Sequence, residues 1–181
     1  MHMKNNVYRT SLGGLLSAFS IAIMLFGSLI PFATYVVPVI SSITIVYFCI
    51  EYSKKHALTV YIVIGLLSMF FVPDKEIAFM FVFIFGPYPM LKSIYEVGRA
   101  KVICWIMKLT TFNLQVLLSY FLLLKVFISP VLVMEFSGYG SAMIAVILVV
   151  ANLTFIIYDN ALTKLISIYL LRIRPRLFKK R

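Results

Sequence analysis

Residues 77–92 read IAFMFVFIFGPYPMLK. Residues 77–85 are apolar without interruption. Gly86, Pro87 and Pro89 then break the pattern, and Lys92 follows within a turn. In a soluble chain a Gly-Pro-x-Pro string marks a surface turn, but these flanks are too apolar for one. Similar runs of roughly 18–25 residues recur along the sequence, the length at which a helix crosses a hydrocarbon core. The stretch therefore reads as a membrane helix broken near its middle.

Composition points the same way. The 181 residues are 62% hydrophobic and 13% charged, with a mean hydropathy of +1.03, whereas soluble domains average about a quarter charged. Only helices and closed barrels satisfy their backbone polar groups in lipid, and the alternating pattern of a barrel is absent. The expectation is an all-α polytopic membrane protein, a six-transmembrane-helix bundle forming one integral membrane domain over 1–181. Its spans fall at about 10–30, 33–51, 56–73, 77–97, 102–128 and 139–160, with a basic tail over 161–181. Short connections leave no room for a separate soluble domain. The first span lacks a small-residue cleavage site, so it reads as retained and not as a signal peptide.

The net charge of +11 is distributed unevenly. In the six-span model Lys4, Arg9, Lys54, Lys55, Lys92, Arg99, Lys101, Lys108, Lys164, Arg172, Arg174, Arg176, Lys179, Lys180 and Arg181 share one side. Only Lys75 and Lys125 take the other. The positive-inside rule then puts both termini in the cytoplasm of a multi-pass cell-membrane protein. The tail RIRPRLFKKR suits anionic membrane lipid. Nucleic acid is not an expected partner, because no fold is available to present the charge. Cys49 and Cys104 lie near inner span ends, where a disulfide is not expected.

Several kinds of chemistry lack a motif. No phosphate-binding loop, H-E-x-x-H or G-x-S-x-G occurs. His2 and His56 have no ligand-like spacing, so neither a metal site nor a cofactor is expected. The chain does not read as an enzyme.

Polar residues within the spans sort by helix face. Ser141, Asn152 and Asp159 align on span six; Lys108, Gln115 and Ser119 on span five; Thr44 and Glu51 on span two; Tyr88, Lys92 and Tyr95 on span four. Such stripes are costly against lipid and should turn inward. Glu51, Lys92, Lys108 and Asp159 form an inner charged layer, read either as interfacial ion pairs with snorkelling lysines or as a relay. Tyr88, Asn113, Gln115 and Asn152 lie nearer mid-depth, where interhelical hydrogen bonding and a ligand pocket are both open readings. The two prolines should kink or open span four, and irregular backbone at that depth is tolerated where protein buries it or a cavity meets it.

On span one Ser11, Gly14, Ala18 and Ala22 make a ridge of small residues, along which another helix can approach closely. With about 180 residues, six spans, cytoplasmic ends and this Gly14-x-x-x-Ala18-x-x-x-Ala22 ridge, the chain resembles the substrate-binding S components of energy-coupling factor (ECF) transporters. The resemblance implies a subunit that captures a vitamin-like small molecule from outside. It also implies a coupling transmembrane subunit docked on the ridge, with separate ATPase subunits. The pocket would lie in the outer part of the bundle, lidded by connections at about 28–36, 73–77 and 128–140, with Tyr35 joining the candidate binding residues. The alternative is a structural membrane scaffold similar to rod-shape-determining proteins.

Overall fold

Apolar runs of this length become helices because the helix is the one local structure that pairs every backbone N–H and C=O within the segment. The structure, a computed structural model, describes residues 2–30, 33–98, 100–126 and 141–178. Every regular element among them is helical. They fall into two compact units, Met1–Ser129 and Pro130–Arg181.

The first unit contains α1 (His2–Gly27), α2 (Val36–Glu51), α3 (Lys54–Phe71), α4 (Lys75–Phe79), a π-helical segment (Met80–Phe85), α5 (Tyr88–Tyr95) and α6 (Lys101–Val126). Helices α1, α2 and α3 pack against one another in all three pairings. The α4–π–α5 rod packs against α2 and α6. Met24, Ile45, Phe48, Ile64, Val72, Ile77 and Phe81 are buried in the core between them.

Four helical stretches of this unit are long and apolar enough to cross a membrane: Val7–Gly27, Lys54–Phe71, Lys75–Tyr95 and Lys101–Leu122. Helix α2 is apolar but has only 16 residues. That is about 24 Å of helix against a hydrocarbon core of about 30 Å. The stretch expected at 33–51 becomes helical only at Val36, because Thr34 and Tyr35 form a turn. In the second unit α7 (Ser141–Ile168) continues through a π-helical segment (Tyr169–Ile173) into α8 (Arg174–Phe178). Ala145–Arg176 is the fifth stretch able to span.

Helix α1 has two distinct faces. Ser17, Ser20, Met24, Gly13 and Gly27 are buried. Ser20 Oγ lies 2.8 Å from Thr44 Oγ1, and Ser41 Oγ donates to the Ser20 carbonyl at 3.2 Å. A Cβ on Gly27 would collide with Val37, so α1 and α2 meet closely there. The small-residue ridge points elsewhere: Gly14 and Ala18 are exposed and Ala22 is half-buried.

The break in span four opens the helix into a π-turn. Gly86 N–H donates to the Phe81 carbonyl, five residues back, at 2.7 Å. The next amide in that register belongs to Pro87 and carries no hydrogen. Its orphaned acceptor, the Val82 carbonyl, instead takes the Tyr61 hydroxyl at 2.7 Å. Glycine is required beside it, since a Cβ at 86 would sit 2.7 Å from the Phe81 oxygen and 2.8 Å from the Tyr61 ring. The irregular backbone is thus buried by protein, as membrane depth demands.

Candidate functional site

Helix ends concentrate the charged side chains of the first unit, giving one basic and one acidic end. At the basic end α5 runs out at Tyr95 and α6 begins at Lys101, with Gly98 in the turn at φ +68°. Lys92 Nζ reaches Glu96 Oε1 at 2.9 Å, one helical turn on. Lys108 Nζ reaches the same oxygen at 2.6 Å. Both lysines are buried, while Glu96 is 44% exposed. Lys108 Nζ also lies 5.3 Å from the centre of the Trp105 ring. Partial burial by itself would raise the Glu96 carboxyl. The hydrogen bonds from Lys108 and Lys92 and their charges outweigh that, so it sits below the ordinary carboxylate value.

At the acidic end Asp74 caps α4, its Oδ1 accepting from the Glu76 amide at 2.9 Å. Lys75 Nζ donates to the carbonyls of Met69 and Val72, both at 2.9 Å, closing the end of α3. Glu76 Oε1 gathers two phenols: Tyr120 from α6 at 3.0 Å and Tyr35 from the α1–α2 connection at 3.3 Å. Thr34 Oγ1 approaches Asp74 Oδ2 at 3.5 Å. Two connections and one long helix thus meet on a single pair of carboxylates.

The residues singled out from sequence divide between these places. Tyr35 belongs to the acidic end. Tyr88 is buried at the start of α5, just past the π-turn. Asn113 Nδ2 donates back to Leu109 O at 2.8 Å, within its own helix. Gln115 Oε1 is buried with no hydrogen-bond partner. Lys92 and Lys108 converge, but the carboxylate they share is Glu96, which the stripe assignment passed over in favour of Glu51 and Asp159. Glu51 is half-buried at the last position of α2. Asn152 and Asp159 belong to the second unit. There Asn152 Nδ2 donates to Leu148 O at 2.8 Å, and the Asp159 carbonyl accepts from Thr163 Oγ1 at 2.8 Å. The connection at 128–140 lies outside the described residues.

Asp74, Glu76, Glu96, Tyr61 and Tyr120 are the participants that sequence reasoning missed. One signal was available: Lys92 and Glu96 have the i,i+4 spacing of a helical ion pair. Among the described residues no group of three His, Cys, Asp or Glu is placed to hold a metal ion.

The fold and these sites define a class: a protein whose regular elements among the described residues are all helical, five of them long and apolar enough to cross a membrane. Compared with known proteins, the chain matches no family model, no curated protein and no solved structure.

Proposed function

We propose that this chain is a membrane-embedded binding subunit, a six-span protein of the cell membrane with both termini cytoplasmic, similar to the S components of ECF importers. In this reading α2 also crosses the membrane, as span two, and fifteen of the 17 Lys and Arg lie on the cytoplasmic side. The subunit captures a vitamin-like small molecule from outside. It leaves ATP hydrolysis to ATPase subunits reached through a coupling transmembrane subunit on the Gly14–Ala18–Ala22 edge.

The observation that carries the reading is the junction at Glu76. Two of the connections expected to act as lids, 28–36 and 73–77, are tied there to each other and to α6 through Tyr35 and Tyr120. Small-molecule sites combine mostly apolar walls with a few convergent polar groups that fix orientation. A carboxylate holding two phenols at the mouth of an apolar bundle is such a group.

Native mass spectrometry of the purified chain tests this. The expected result is one small molecule retained by the wild type and lost from Glu76→Gln. A chain that retains nothing, and whose melting no vitamin shifts, would return the protein to the scaffold reading.

A further inference from the structure

A recessed channel runs along the outside of α1 and α3, built from two adjoining hollows. The first, about 260 Å³, is lined by Arg9, Thr10, Gly13, Phe48, His56 and Thr59, among others. The second, about 440 Å³, continues from it through the shared residues Gly14, Ser17 and Val63. Beyond them it is walled by Ala18, Ala22, Leu25, Leu67 and Phe71. One mouth is therefore basic and the rest is hydrocarbon. The channel exists because Gly14 and Ala18 carry almost no side chain, and a Cβ on Gly14 would meet nothing within 4 Å.

We infer that this channel is a lipid site: in the chain on its own it holds one anionic phospholipid, with the phosphate at Arg9 and His56 and an acyl chain entering the apolar part past Gly14 and Ala18. Two observations lead there. Arg9 lies two residues inside the start of the membrane-crossing stretch Val7–Gly27, at headgroup level. It makes no ion pair among the described residues, and a guanidinium there suits phosphate oxygens. His56 Nδ1 is occupied by Ser53 Oγ at 2.7 Å, which leaves Nε2 for the channel.

Charge decides the occupant: the basic mouth complements an anionic headgroup, and the apolar wall beyond it complements an acyl chain. Basic pockets between membrane helices are known seats for anionic headgroups. The inference does not depend on the transport reading, since it concerns the chain without partners.

The full chain, expressed alone and delipidated in detergent, is titrated with phosphatidylglycerol or phosphatidylcholine and weighed by native mass spectrometry. One phosphatidylglycerol should be retained per chain, in preference to phosphatidylcholine. Arg9→Gln should weaken that preference about fivefold, the worth of one basic residue at an anionic surface. Ala18→Leu, which fills the channel, should reduce retention of both lipids. Arg9 lies at a helix end, so its variant reports even if Ala18→Leu fails to fold. Equal retention of the two lipids by the wild type overturns the inference. So does an Arg9→Gln chain that keeps the wild-type preference, or retention of a polypeptide in place of the lipid.

Discussion

The Tyr61 hydroxyl donates to the Val82 carbonyl at 2.7 Å, supplying the hydrogen that Pro87 lacks. A side chain on α3 thereby completes the backbone of a neighbouring span at the one place where that span cannot complete itself. In lipid no water is available to take over the task, so the π-turn and Tyr61 form one unit.

That relationship makes a coupled prediction. Tyr61→Phe leaves a half-buried carbonyl unpaired and should destabilise the protein by about 1–3 kcal/mol. Pro87→Ala restores an amide hydrogen that can reach Val82 in the five-residue register. In the Pro87→Ala background, Tyr61→Phe should then cost less, by at least about 0.5 kcal/mol. Thermal unfolding of the four chains in detergent measures the difference. Equal costs in both backgrounds would mean that Tyr61 merely packs against the rod.

Gly86 invites a simpler test. A Cβ there would press on the Phe81 oxygen and the Tyr61 ring. Gly86→Ala should therefore lower stability by about 1–3 kcal/mol, the usual range for overpacking. This is opposite in sign to the gain in helix propensity that alanine brings at an unhindered helical position. A stabilised variant would refute the close approach.

The shared carboxylate at the basic end predicts a pH dependence. Glu96 has a lower pKa in the folded chain than its ordinary value, so its contribution is fully present above the unfolded carboxyl pKa of about 4.3. It is lost as the pH falls through the lower folded value. The difference in melting temperature between wild type and Glu96→Gln should be constant from pH 7 to about 5 and shrink below about 4. Partial exposure of Glu96 means that salt should reduce the difference as well. A gap that widens on acidification would reverse the sign of the linkage and exclude this pairing.

Much of the fold was legible because lipid leaves the chain few options. Apolar runs of membrane length had to be helices, and a Gly-Pro-x-Pro string inside one had to interrupt its backbone. The turn at Thr34 and Tyr35 was not legible, because those residues continue an apolar-looking run and leave the helix to meet Asp74 and Glu76 some 40 residues later. Lys92 and Lys108 could be read as inward-facing from their stripes. Glu96 lies within the expected span at i,i+4 from Lys92, so its pairing with that lysine was legible, but its sharing with Lys108, twelve residues on in another helix, was not. Tyr61 and Tyr120 act through partners 21 and 44 residues away. Helical spacing carries no information about such pairs.

Orientation rests on charge alone and can be tested directly. In an otherwise cysteine-free chain, Lys75→Cys should react with an impermeant maleimide on intact cells, and Lys54→Cys only after permeabilisation. The reverse pattern would invert the topology and place Glu76 on the cytoplasmic side, where it could not receive an external ligand.

The two faces of α1 give the last prediction, because adjacent glycines point in different directions. Gly13 is buried, with Val60 Cγ2 at 3.5 Å and Phe48 Cζ at 3.6 Å from where its Cβ would lie. Gly14 opens onto the channel, and Ala18 follows one turn later, also exposed. A single Cβ at 13 fits, but Gly13→Leu must push its remaining carbons into Val60 and Phe48. It should cost about 1–3 kcal/mol. Gly14→Leu and Ala18→Trp project into the channel and should leave melting within about 0.5 kcal/mol of wild type. If a coupling subunit docks on this edge, the same two variants should keep small-molecule binding and lose both co-purification with that subunit and ATP-dependent uptake. Close helix approach in lipid depends on the absence of side chains at the contact. Variants that melt normally and still co-purify with the coupling subunit would move the docking surface off α1.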